Sequence, residues 1–152
     1  MSLLDVQFLD QGFHRAVLDA VPLPVFVVDQ DVTILEYNSA ASQMLGTSKR
    51  KTRNRRAGDV LHCLHSTETP EGCGRSPFCS DCVVRKAVNA SWKGKKAVRE
   101  CATMEFVSNG QPRKVEVKVS TNPFKFFKHT FVLLVLEGLD ALSSPSVPVA
   151  RK

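Results

Sequence analysis

The chain has no apolar run that approaches the ~18 residues of a membrane span, so no crossing segment is expected. Its opening, MSLLDVQFLDQGF, carries acids and lacks a basic leader with a cleavable apolar region, so no secretory signal is expected either. A reducing cytoplasm is the compartment these absences favour. No Ser/His/Asp arrangement, paired carboxylates or phosphate-cradling glycine loop is visible, and no enzyme activity is expected. No internal repeat is present. What is there suffices for one domain: 152 residues, 43% of them hydrophobic, can bury a proper core.

Acid is also missing from one stretch. Lys49 to Arg56 (KRKTRNRR) holds six cations and accounts for the whole net charge of +6, because the remaining 15 basic and 15 acidic residues balance. The excess is a local patch, read either as a solvated loop or as a docking site for phosphate, nucleic acid or an acidic protein face. Nothing aromatic interleaves it, so single-strand stacking is unsupported and a nucleic-acid partner is not expected.

Four of the five cysteines lie between His62 and Cys82, in HCLHSTETPEGCGRSPFCSDC. Pro70, Gly72, Gly74 and Pro77 make this stretch turn-rich. Cysteine is ordinarily a core residue, and a turn-rich loop offers little core. The spacing of Cys63, Cys73, Cys79 and Cys82 is C-x9-C-x5-C-x2-C. Its closing C-x2-C lets both sulfurs reach one centre. Thiolates are soft ligands for zinc or an iron–sulfur cluster, and a cluster tolerates uneven spacing. The reading is a metal-type site, with zinc and a cluster both open. Disulfides and unrelated buried thiols are the competing readings. His62 and His65 flank Cys63 as possible substitute ligands.

Along the chain, Ser2 to Ala20 reads as an amphipathic helix with Val6, Leu9, Phe13, Ala16, Val17 and Ala20 on one face. It covers its own domain or pairs with a partner. Pro22 and Pro24 stop it. Val25 to Val28 and Val32 to Tyr37 read as a hairpin across the polar turn Asp29-Gln30-Asp31. Asn38 and Ser39 cap a short helix that Gly46 ends. Val83 to Val98 is helical in pattern, with Val83, Val84, Ala87, Val88 and Trp92 on one face and Cys79 and Cys82 at its start. Three strands close the domain. Arg99 to Val107 alternates, Asn109-Gly110 turns the chain, and Lys114 to Val119 points Val115, Val117 and Val119 inward. Phe131 to Leu136 is apolar throughout and reads as a central strand covered on both faces. The phenylalanines of Phe124 to Phe127 read as loop packing. The segments are thus an N-terminal helix over 1–20, a domain over 21–138 and a disordered tail over 139–152. The fold class is α+β with a five-stranded antiparallel sheet.

This order, and above all LDAVPLPVFVVDQDVTILEYNSAASQMLG from Leu18 to Gly46, resembles the PAS sensory domain. The resemblance covers roughly Ala16 to Gly138. It implies strand order 2-1-5-4-3, helices on one face, a pocket between them and the sheet, and homodimers formed through the N-terminal helix. The cysteine stretch resembles a bacterial signalling subset with a Cys…GCG…C-x2-C insertion, which places the ligands at Cys63, Cys73, Cys79 and Cys82. Other PAS cofactors leave no matching residues: Cys82 is followed by Val83 rather than a haem-type histidine, no histidine lies between Val83 and Trp92, and Ser80-Asp81-Cys82-Val83 is not a flavin motif.

The function expected is therefore a sensor of redox or metal state that relays to a histidine kinase or other output protein. A structural-zinc interaction domain is the alternative, binding a small ligand or an acidic partner. A thiol–disulfide catalyst using Cys79 and Cys82 would leave Cys63 and Cys73 without a role.

Overall fold

A computed structural model describes residues 12–45, 54–95, 99–108 and 110–138. The elements run α1 (His14–Ala20), β1 (Val25–Val28), β2 (Ile34–Tyr37), α2 (Ser39–Leu45), α3 (Ala57–Leu61), two 3₁₀ turns (Leu64–Thr67 and Pro77–Asp81), α4 (Val83–Trp92), β3 (Glu100–Ser108), β4 (Gln111–Phe126) and β5 (His129–Glu137). The strands form one antiparallel sheet in the order β2-β1-β5-β4-β3.

Alternation sets which face is core. Val115, Val117 and Val119 of β4 and Val132, Leu134 and Leu136 of β5 are buried on one face with Phe26, Val28 and Phe106. Helix α4 lies across β4 and β5 and adds Val84, Ala87 and Val88 to that cluster. Each fully buried large side chain contributes roughly 1.5–3 kcal/mol. Ser91 and Thr121 are buried between helix and sheet, and they satisfy each other at 2.6 Å, with the Thr121 hydroxyl 3.1 Å from the Ala87 carbonyl.

The β1–β2 turn is built by Asp29, whose Oδ1 accepts from the Asp31 and Thr33 amides at 3.0 and 2.9 Å. Val32 sits at φ 62, so β2 begins at Ile34 rather than at Val32. The hairpin expected at Asn109-Gly110 is present: Ser108 pairs with Gln111, and Gly110 has φ 76.

Two expectations need correction. Strand β5 is central but is not covered on both faces: Phe131, Leu133 and Val135 are only partly buried, whereas Val132, Leu134 and Leu136 are sealed. Phe124 to Phe127 does not pack a loop. It forms the end of β4 and its turn, with Phe124, Phe126 and Phe127 exposed. The described part of the N-terminal helix buries no residue, and Phe13 and Val17 of its apolar stripe are exposed. Residues 1–11 of that helix, most of the basic run and the tail 139–152 lie outside the described residues.

Helix α1 is tied down by polar contacts instead. Asn38 is fully buried where β2 turns into α2, and its Oδ1 accepts from the Val25 and Ala41 amides at 3.0 and 3.1 Å. Its Nδ2 reaches the Leu18 and Leu23 carbonyls, both at 2.9 Å. Asp19 accepts from the Ser39 amide, and Arg15 pairs with Glu36 at 2.6 Å.

Candidate functional site

The segment between α2 and α4 folds as a chain of short turns over one end of the sheet. Strand-like pairing anchors its start, because Thr33 bridges Arg56 and the Ala57 amide donates to the Val32 carbonyl at 2.9 Å. A second anchor lies on the edge strand, where Cys63 bridges Phe106 and the Val107 amide donates to the His62 carbonyl at 2.7 Å. Ser76 caps the second 3₁₀ turn, which carries Cys79, and Cys82 is the N-cap residue of α4.

This path delivers Cys63, Cys73, Cys79 and Cys82 to the wall of one cavity of about 320 Å³. Its floor is apolar, with Leu61, Met104, Phe106 and Leu136. Gly58 of α3 lets the loop close over the helix. A side chain there would meet the Cys73 sulfur at 2.7 Å and the Cys63 Cβ at 3.4 Å. All four thiols are free. Among the described residues, no three Cys, His, Asp or Glu side chains are arranged so as to hold a metal ion.

Burial, with its neighbours Cys82 and Cys73 adding to the effect and the His65 and Ser66 amides opposing it, pushes the Cys63 thiol up to about 11. Burial likewise raises Cys82, reinforced by Cys73 and Cys79. The thiols thus feel one another's charge, and an ion bound among them would displace protons at neutral pH.

Both glycines beside Cys73 are required. Gly72 has φ 85, with the Asp59 carboxylate against its Cβ position. That carboxylate accepts from the Cys73 amide at 2.8 Å. Gly74 has φ 86, and the Arg85 guanidinium occupies the space where its Cβ would stand. Gly74→Ala is expected to cost about 1–2 kcal/mol from the left-handed backbone and to expel Arg85. Urea unfolding of the variant checks this.

Arg85 joins the cysteine loop to the sheet. Its Nη2 lies 3.4 Å from the Cys73 sulfur and 3.2 Å from the Cys73 carbonyl, and its Nη1 pairs with Asp31 at 2.9 Å. Its Nε is buried and has no hydrogen-bond partner among the described residues. Burial alone would lower the Arg85 pKa, but the bonds to Cys73 and Asp31 more than compensate, and it lies above its ordinary value. Asp31 also binds Arg56 at 2.8 Å and Arg75 at 3.1 Å. Burial opposes ionisation of Asp31, yet hydrogen bonds from Arg56, Arg75 and Arg85 hold its carboxyl well below the usual carboxylate range.

The two histidines separate. His65 lines the cavity, stacks on Phe78 with centroids 5.0 Å apart, and pairs with Glu68 at 2.9 Å. His62 is exposed at φ 61 and borders a different cleft with Val107. Asp31, Gly58, Asp59 and Arg85 were missed by sequence reasoning. The glycines either side of Cys73 and the arginine three residues after the C-x2-C are the signals that point to part of this set.

A five-stranded antiparallel sheet of order 2-1-5-4-3, with helices on one face above a cavity, is the PAS fold. Residues 12–76 match the family model of the PAS domain. The structure is similar to the PAS domain of nitrogen regulation protein NR(II) from Vibrio parahaemolyticus, with TM-score 0.56 and 14% identity, covering 84% of this chain and 99% of that one. It is similar to the PAS domain of an HTR-like protein from Haloarcula marismortui, with TM-score 0.54 and 16% identity, covering 89% and 96%. A PAS domain from a two-component sensor histidine kinase gives TM-score 0.53 and 11% identity, covering 87% and 98%. No curated protein sequence matches the chain.

Proposed function

We infer that the chain is a sensory module of signal transduction, and that its input is a zinc ion or iron–sulfur cluster held by Cys63, Cys73, Cys79 and Cys82. The observation that carries this reading is that the thiols of Cys63, Cys73, Cys79 and Cys82, spread over twenty residues of chain, line one cavity. The free loop must still draw in, since the thiols do not yet form a metal-holding group. Closure of that loop on a metal, and its release on oxidation or metal loss, is an order–disorder change of the kind signalling proteins use. The anchors at Thr33 and Phe106 connect such a change to both edges of the sheet, and Asp31 connects it to the β1–β2 turn.

The module has no catalytic step. It works in a reducing cytoplasm, and its output passes to a partner such as a histidine kinase, the kind of protein from which one similar structure comes. Homodimerisation through the N-terminal helix is part of this reading, supported by exposed Phe13 and Val17. The apolar cavity floor favours a second reading, a small apolar ligand bound beneath the cysteines with zinc serving only to fold the loop.

Metal analysis of protein purified without oxygen tests the reading. One metal centre per chain is expected, with absorbance near 400 nm for a cluster and no colour for zinc. Serine at Cys73 or Cys82 should abolish it. Because thiols must lose protons to bind, affinity should fall as pH drops below neutral. Metal-free protein that stays so after anaerobic reconstitution would sink the proposal.

A further inference from the structure

The end of the β4–β5 hairpin takes no part in the cysteine site. Pairing of β3 with β4 stops at Val119, and pairing of β1 with β5 starts at Val132. Beyond those points, from Phe124 to Phe131, β4 and β5 run on as a two-stranded ribbon with no other described strand beside it. Such a ribbon is marginal in water by itself. Its tip nevertheless displays three phenylalanines to solvent: Phe124 is 40% exposed, Phe126 61% and Phe127 80%. Phe127 and Lys128 make the turn at φ 50 and 68, a left-handed conformation that costs a non-glycine residue energy. No acid occurs between Glu116 and Glu137, while Lys125, Lys128 and His129 lie among the rings.

We propose that this tip docks on an anionic lipid surface, with Phe124, Phe126 and Phe127 entering the headgroup layer and Lys125 and Lys128 pairing with lipid phosphates. Geometry favours a bilayer over a protein groove. The turn is two residues wide and convex, and its rings share no plane: Phe126 and Phe127 are 4.4 Å apart at 54°, and Phe124 leans instead on Phe131. A fluid surface accepts rings at any angle, whereas a protein hot spot needs one fitted pocket for each anchor. Phe124 and Phe126 share one face of β4 and Lys125 takes the other, so the ribbon is amphipathic in the way interfacial segments are. The lack of a spanning run excludes only a crossing segment, and surface docking needs none.

The test is sedimentation of the whole chain with vesicles of phosphatidylcholine alone, or with about one third phosphatidylglycerol. Binding is expected only to the anionic vesicles, and is lost at about 0.5 M salt. Lys125→Glu/Lys128→Glu should weaken it at least roughly 30-fold, and Phe126→Ala/Phe127→Ala at least roughly tenfold. All of these side chains are exposed, so the thermal midpoints should stay close to that of the parent chain. Failure of the parent chain to sediment with anionic vesicles overturns the proposal. So does binding that survives the phenylalanine replacements, or phenylalanine replacements that change only the oligomeric state.

Discussion

Replacing Asn38 by alanine is expected to lower the unfolding free energy by about 3–5 kcal/mol, read as a shift of the urea midpoint. The amide is fully buried, and it serves three elements at once. Its oxygen takes the first amide of β1, from Val25, and the Ala41 amide in the first turn of α2. Its nitrogen takes carbonyls from Leu18 and Leu23 on either side of the Pro22 bend. Alanine would leave these backbone groups buried and unmade, which costs more than the bonds themselves contribute. Asn38→Asp separates the two halves of the role. It retains the acceptor and loses the donors, so it should restore α2 capping but not the hold on α1. Because the described part of α1 has no buried side chain, that hold is mostly polar, and proteolysis near Val21 should accelerate in both variants.

Asp31→Asn is expected to cost about 2–3 kcal/mol at neutral pH, less than for a sealed ion pair because the Asp31 side chain is 38% exposed. One carboxylate holds Arg56 at the start of α3, Arg75 in the cysteine loop and Arg85 in α4. Asparagine would leave three cations facing one another. The pH dependence has a definite sign. The folded carboxyl titrates below its unfolded value of about 4, so its contribution is complete above that pH and is lost as pH falls through the lower folded value. The gap between parent and variant should therefore be widest near neutrality and shrink in acid. Urea midpoints measured at neutral and strongly acidic pH check this. A gap that widened in acid would remove Asp31 from its place at the centre of the arginines.

Much of the sheet was legible because period-two patterning is a local property. Val115, Val117 and Val119 declare their face, and Asn109-Gly110 declares its turn, without reference to anything distant. The cysteine spacing marked Cys63, Cys73, Cys79 and Cys82 as one group, and the structure brings all four to the wall of one cavity. The Asp31 hub was not legible. Its partners lie 25, 44 and 54 positions away, and single charges in a polar turn carry no mark of what they will meet. Asn38 was read as a helix cap, which it is. Its bonds back to Leu18 and Leu23 depend on the proline bend bringing the chain around, and no periodicity records that. The outer face of β5 misled for the opposite reason. A run of apolar residues says that both sides can be buried and cannot say whether anything arrives to cover the second.

The hydrogen bond from Val107 to His62 and the bridge from Cys63 to Phe106 have a consequence for solubility. Strand β3 closes one side of the sheet, and the cysteine segment caps its ladder near Phe106. A chain whose segment peels away bares main-chain donors and acceptors beside an apolar cavity, which is a template for strand addition by another molecule. Conditions that loosen the cysteine segment should thus show first as turbidity and slow filament growth, before any loss of helix signal.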